Sequence, residues 1–468
     1  MDAILSNNST DDHCREFVRQ NGLKPLIRIL GLPNLPLDFP SSSACQAIGT
    51  VGRSILVLCQ EHQLLPQGLN LLTEILQTLE PLNNSLTQSG QSILLQEVIK
   101  NPKPFAAMNS SQQTPLLHAM AATQSYVNMF THICRAGQSD VRTVCINHWG
   151  AEVGIETLKK LCHLYSALVW ESSVLLVLCT QENLTDECDL LKKDLEKLSD
   201  LIDADTLNES TSSDRQPTST AEPSSSCESE KLKTKTSNKL RLLKQLLAAS
   251  SKLGRALAEF FSLLVRLAVG SGQRQRRLQH VITPSMPTIP AKLIASQLAK
   301  LLMHGLSWKE PEKCSLPRLN LTFYICSLGF VHPMLFDDRK NPYHLMLQQL
   351  VSSGGHRALF DRFQWVVGHR DQLPFKAESS CEEHGLPEGS DEFVNAWLTL
   401  MEKLVNPKLI MDSPHLLPTG EGATVNGNMF EPSMFLMSTQ KVSEGFCILE
   451  ILPSDKIILI LTFLHSKF

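Results

Sequence analysis

Tyrosine is scarce in this sequence. There are four in 468 residues, and all aromatics together make up 6% of the chain. Strands favour aromatic and β-branched residues, so a leucine-rich, tyrosine-poor chain leans towards helix. An excess of charge is also missing. Lys and Arg number 43 against 47 Asp and Glu, a net charge of −4. No global field therefore draws the chain to nucleic acid or anionic lipid. The thirteen cysteines include no C-x-x-C pair, and their count is odd. Several sit in apolar helical runs, where a thiol packs as a small hydrophobe. That usage argues for the reducing cytosol or nucleus and against a disulfide framework. The opening stretch, MDAILSNNSTDDHCREF, is polar and acidic, unlike a signal peptide. No apolar run is read as approaching a membrane span, the longest candidate being Ile457 to Leu464.

Catalytic signatures are absent as well. The sequence has no glycine-rich phosphate loop, no H-E-x-x-H and no G-x-S-x-G. It assigns no catalytic, cofactor-binding or metal-binding residue. His132 with Cys134, and His163 with Cys162, read as helix-face core residues, because neighbours along a helix do not converge on one ion. Asp337-Asp338 before Arg339-Lys340 reads as a solvated turn between helices, not a paired-carboxylate site. The cluster RQRR, Arg274 to Arg277, reads as a solvated loop. No cysteine has an evident positively polarised setting, and Cys326 in FYICSLGF reads as packing. The aromatic–basic interleaving used for single-stranded nucleic acid is missing.

What is present is helix after helix. At 468 residues the chain exceeds one hydrophobic core. A first helical block, residues 11–180, opens with EFVRQNGLKPLIRIL. Gly22 is placed there to end one helix in the left-handed conformation, with Pro25 in the first turn of the next. This helix–glycine–link–helix wording is the kind found in armadillo-type repeats. The spacing predicts a helix from Cys45 to Cys59 after a serine cap, and one from Pro66 stopped by Pro81. A short helix follows over SILLQEVIK, then a longer one capped by Thr114. Val144 to Cys179 reads as one nearly continuous buried run. Gln181 to Ser237 is rich in Ser, Thr and charged residues and reads as a disordered linker. Residues 238–410 form a second helical block, beginning with a long helix from Lys239 to Val269 that Gly254 is expected to kink or break. Within it Leu293 to Val367 gathers two tryptophans, Trp308 and Trp365, with Phe323, Phe330, Phe336, Phe360 and Phe363. Such rings bury large areas, so a core is expected there. Ser352-Ser353-Gly354-Gly355 reads as the link between two of its helices. Residues 411–440 read as loop, and 441–468 as a tail of shifted composition. The fold class is all-α, an armadillo/HEAT-like α-solenoid with a disordered acidic, serine-rich insertion.

Many phrases carry a resemblance. They include LPNLPLDFP (Leu32 to Pro40), TPLLHAM (Thr114 to Met120), LVWESSVLLVLC (Leu168 to Cys179) and SKLGRALAEFFSLLVRLAVGS (Ser251 to Ser271). GLSW (Gly305 to Trp308), PMLFDDRKNPYHLMLQQ (Pro333 to Gln349) and EKLVNP (Glu402 to Pro407) continue it in order. Together they resemble the giant ubiquitin ligases that carry UBA, WWE and HECT domains. The likeness runs from about Met1 to Lys441 and stops there. It implies an armadillo-like array, a domain-of-unknown-function region upstream of the UBA domain. It also implies a HECT thioester cysteine outside this chain, so no residue here receives that role. The function implied is a docking scaffold, non-catalytic by itself, for protein substrates or adaptors along the solenoid surface. No membrane, nucleic acid or cofactor enters that reading. Two other readings stand beside it. One is a stand-alone cysteine-dependent ubiquitin transferase. The other is an armadillo adaptor for basic peptides, which calls for repeated acidic or Asn/Trp ladders.

Overall fold

The computed structural model describes residues 11–59, 63–86, 92–100, 114–135, 139–180, 193, 196–197, 226–269, 286–309, 317–368, 390–418 and 430–445. Among them every regular element is a helix, and one isolated bridge joins Phe336 to Pro342. The fold is all-α and solenoid-like, as the composition leads one to expect. The helices are α1 (Asp11–Arg19), α2 (Leu23–Arg28), α3 (Ser43–Cys59), α4 (Leu64–Thr78), α5 (Ile93–Lys100), α6 (Pro115–Cys134), α7 (Ser139–Trp149) and α8 (Glu152–Thr180). They continue as α9 (Ser226–Val269), α10 (Ile289–Ser307), α11 (Pro317–Leu335), α12 (His344–Ser352), α13 (Gly355–Gly368), α14 (Ser390–Leu404), α15 (Pro407–Met411) and α16 (Pro432–Gly445).

Several helix starts follow from local chemistry. The Ser42 hydroxyl accepts from the Cys45 N–H at 3.2 Å, and Thr114 from the Leu117 N–H at 3.4 Å. The Asn406 side-chain Oδ1 accepts from the Leu409 N–H at 3.3 Å, with Pro407 in the first turn of α15. Each cap satisfies a donor that the first helical turn leaves open.

Four local readings are corrected. Asn21, at φ 62°, takes the left-handed position instead of Gly22, whose φ is −64°. Gly22 is small for another reason: a Cβ there would sit 2.4 Å from the Phe17 ring. Pro81 does stop α4: the helix ends at Thr78 with Leu79 as its cap, and the proline follows two residues later inside a 3-10 turn, Glu80–Leu86. The run from Val144 to Cys179 breaks between α7 and α8, where a Cβ on Gly150 would fall 2.3 Å from Pro290 Cβ. The helix expected from Lys239 begins at Ser226, inside the stretch read as linker, and is assigned as one helix through Gly254 to Val269. Residues 432–440, read as loop, belong to α16, which buries Phe435 and Thr439 one turn apart. Apart from residues 193 and 196–197, the rest of the linker lies outside the described residues, as do the RQRR cluster, the Ile457–Leu464 run and most of the tail.

Among the described residues one helical stretch, Glu152–Cys179, is long and apolar enough to cross a membrane by length and composition. It corrects the reading that Ile457 to Leu464 is the longest such run. Most of it is buried within the protein.

The chain divides into two compact units. Unit 1 holds residues 1–130, 164–257 and 310–316; unit 2 holds 131–163, 258–309 and 317–468. Unit 1 is built on leucine. Leu65, Leu69, Leu72 and Leu76 of α4 are all buried, as are Leu23, Ile27 and Leu30. The Tyr126 hydroxyl donates to the Ile27 carbonyl at 3.1 Å, and the Asn128 amide to that of Pro40 at 3.0 Å, which ties α6 to the proline-punctuated connector. Unit 2 is built on rings. Trp149 meets Phe260 at 4.9 Å, Trp308 meets Phe323 at 4.9 Å, and Trp397 lies between Phe363 at 4.2 Å and Phe360 at 5.4 Å. Gly354, at φ 84°, turns the chain between α12 and α13 at the glycine pair the sequence marks.

Candidate functional site

Among the described residues no group of three or more His, Cys, Asp and Glu stands close enough to hold a metal. The pairs weighed in the sequence are taken apart by their helices. Cys134 and Cys162 are buried, whereas His163 faces solvent and His132 is half-buried. Two imidazoles the sequence keeps far apart do approach: His163 and His304 lie with ring centres 6.5 Å apart.

Burial decides the state of the thiols. The Cys134 thiol is held well above the ordinary cysteine value by its hydrogen bond with Cys145, then by burial and the charge of that neighbour. Burial likewise pushes the Cys45, Cys162 and Cys179 thiols up. A nucleophilic cysteine needs the opposite shift. Cys326 is the exception to the packing reading, for its side chain is exposed on α11. In FYICSLGF the flanking rings Phe323, Tyr324 and Phe330 are buried, and the cysteine takes the remaining face of the helix.

Two polar networks escaped the sequence reading. In unit 1, Glu171 is buried on α8. Its Oε2 accepts from the Ser92 hydroxyl at 2.6 Å and its Oε1 from the Ile93 N–H at 2.7 Å. The carboxylate thus closes the N-terminus of α5, where the helix dipole favours negative charge. The available signal was a lone acid in the apolar half of α8, from Leu161 to Thr180, since a buried charge must be compensated. In unit 2, the Arg362 guanidinium donates to the Tyr324 hydroxyl at 2.7 Å and lies over the same ring at 4.8 Å. The Tyr324 hydroxyl in turn donates to the Trp308 carbonyl at 3.2 Å. This network links α10, α11 and α13 within the aromatic stretch.

The Asp337-Asp338 turn is more than solvated chain. Asp337 accepts from the Arg339 and Asn341 N–H groups at 2.9 and 2.8 Å and from the Asn341 amide at 3.0 Å. His415 Nε2 lies 3.0 Å from its Oδ2. Burial pushes the Asp337 carboxyl up, but these hydrogen bonds outweigh it and hold the group below the usual range. His415 packs on the Tyr343 ring at 4.8 Å, and Ser413 donates to the Pro342 carbonyl at 2.7 Å. The segment after α15 is thereby fastened to the turn before α12.

That fastening helps shape a pocket of about 210 Å³ inside unit 2. Arg142, Ile146 and Asn147 of α7 form one wall, and Ala268 and Val269 end α9 at another. Met286 to Thr288 precede α10, and His415 to Leu417 complete the rim. Unit 1 has a groove of about 220 Å³ between α6 and α9, lined by Leu117, Met120, Ala121, Ala248 and Ala249, with Asp38 and Lys252 also at its surface.

Packed helices with open pockets between them place the chain in the class of all-α, solenoid-like folds. Comparison with known proteins gives that class a lineage. No family model matches the chain. It is 46% identical over 483 aligned residues to the E3 ubiquitin-protein ligase HUWE1 of Mus musculus, and to the same degree to that of Rattus norvegicus. The match takes in 95% of this chain and 11% of each relative's length. The chain is therefore homologous to a segment of the HUWE1 ubiquitin ligases, and the resemblance drawn from its phrases holds.

Proposed function

We propose that this chain serves as a protein-docking segment of a HECT-type ubiquitin ligase, with the thioester-forming cysteine elsewhere in the longer polypeptide. The observation that carries the reading is the 46% identity to HUWE1 along 95% of the chain. The raised pKa values of the core thiols support it, because a thiol that resists ionisation is a poor ubiquitin acceptor. The helical packing supports it too, since stacked helices present extended surface to partners. The surface assigned to clients is the polar side of α10 and α13, where Lys300, Arg357 and Gln364 are exposed. Cytoplasm and nucleus are the compartments proposed, on the cysteine usage.

The test is to incubate the chain with ubiquitin-charged E2 and resolve the products with and without reducing agent. The expected result is no reducible adduct on this chain. A reducible adduct that Cys326→Ser removes would establish the transferase reading instead. Photocrosslinkers placed at Lys300, Arg357 and Gln364 of the longer ligase then locate its clients.

A further inference from the structure

We propose that the pocket around Arg142 docks an acidic peptide segment, with a carboxylate on Arg142 and a neighbouring aliphatic side chain on Met286 and Leu416. This inference rests on the docking reading and names a site and a partner chemistry for it.

The charge of the pocket points to the carboxylate. Among the lining residues Arg142 alone carries a fixed charge, and no acid is among them. The guanidinium is half-buried, and its Nε donates to the Leu267 carbonyl at 2.8 Å. Among the described residues it forms no ion pair. One donor of the fork is thus used at the end of α9, where carbonyls are left open, and the rest remain for a ligand. Burial depresses the affinity of this group for its proton, a sign that its surroundings solvate the cation poorly. A carboxylate meeting the free side of the guanidinium forms charge-assisted, directional hydrogen bonds.

The rim points to the aliphatic neighbour. Met286 is 55% exposed and Leu416 40%, and both line the pocket mouth. Ile289, three residues further along at the start of α10, is 76% exposed. Methionine adapts its unbranched chain to varied partners, a property suited to a docking rim. Two polar groups of the wall are engaged, for the Thr288 hydroxyl accepts from the Ala291 N–H at 3.4 Å and His415 Nε2 meets Asp337. His415 is held by Asp337, so this side of the pocket is fixed before a ligand arrives. A preformed site avoids part of the ordering cost of binding.

The experiment is fluorescence anisotropy on the full chain with a fluorescein-labelled Gly-Leu-Glu-Leu-Gly peptide and its glutamine counterpart. The glutamate peptide is expected to bind at least about tenfold more tightly, and Arg142→Gln to abolish that difference. Arg142→Gln also removes a contact to α9. Met286→Glu therefore serves as a second variant, because an exposed side chain can change without loosening the core. It is expected to weaken the glutamate peptide by a similar factor at an unchanged melting temperature. Equal binding of the two peptides, binding of neither, indifference to Met286→Glu, or displacement by a single-stranded oligodeoxynucleotide would each overturn the site. If the pocket fails while the α10 and α13 crosslinkers still capture clients, only the pocket assignment falls. If those crosslinkers capture nothing, the docking reading itself fails.

Discussion

In unit 1 the helices meet mostly through leucine side chains, with Tyr126, Phe130 and Trp170 buried among them, and a single carboxylate among the described residues, Glu171, is buried to close the end of α5. In unit 2 they meet through tryptophan, tyrosine and phenylalanine, with Arg362, His344 and His356 set among the rings. The two solutions fail differently. Leucine packing is forgiving, since aliphatic side chains can exchange shape at modest cost, so a unit built on it depends most on the one polar group it cannot replace. Ring packing has fixed geometry and large buried areas, so a unit built on it depends on individual aromatic side chains.

The largest expected effect is therefore in the rings. Trp397 is fully buried, and its indole N–H donates to the Leu359 carbonyl at 3.1 Å. Trp397→Ala should cost about 3–5 kcal/mol of stability, read by urea unfolding. Trp397→Phe should recover most of the loss and forfeit about 1 kcal/mol for the missing hydrogen bond. Next comes the carboxylate of unit 1. Glu171→Ala strands the Ser92 hydroxyl and the Ile93 N–H and should cost about 2–4 kcal/mol. Hydrogen exchange should place that loss first in α5. If Glu171→Ala proves milder than a single leucine-to-alanine change in α4, the contrast between the units collapses.

Acid should act on unit 2 through His356. Its ring is buried, lies 4.9 Å from that of Phe435, and its Nε2 is 3.0 Å from the Thr439 hydroxyl. Burial lowers its pKa from 6.5 to about 4. Between those values the unfolded chain binds a proton that the folded chain refuses. Stability is thus full above pH 6.5 and falls as the pH drops towards 4, by about 3 kcal/mol at most. Burial shifts His344 in the same direction. Urea midpoints across that range should decline for the native chain and decline less for His356→Gln. Smaller still is the cap of α6, where Thr114→Ala should cost about 1 kcal/mol. The exposed Arg135–Glu259 ion pair should be worth under about 0.5 kcal/mol and vanish in high salt.

The sequence was most readable where the signal is local. Thr114 and Ser42 mark helix starts because a cap is decided within three or four residues. The glycine pair at Gly354-Gly355 marks a turn for the same reason. What it hid depends on residues far apart in the chain. Gly150 breaks a buried run because it packs against Pro290, and nothing beside it announces that contact. Glu171 looks like one acid in the apolar half of α8 until Ser92, 79 positions away, arrives to donate to it. The α16 helix was missed because its burial depends on His356. The Arg142 pocket was invisible because its walls come from five separated stretches. The family, by contrast, was legible because many phrases occur in the same order.

The central claim is that this segment recruits proteins and leaves acyl transfer to another part of the ligase. It is tested most directly in mouse HUWE1 whose matching segment is replaced by this chain, with and without charge reversal at Lys300 and Arg357. Two quantities are read together: thioester formation on the ligase and ubiquitin transferred to a bound client. The account predicts that charge reversal leaves thioester formation unchanged and lowers client ubiquitination severalfold. Loss of the thioester, or client ubiquitination that does not move, would contradict it.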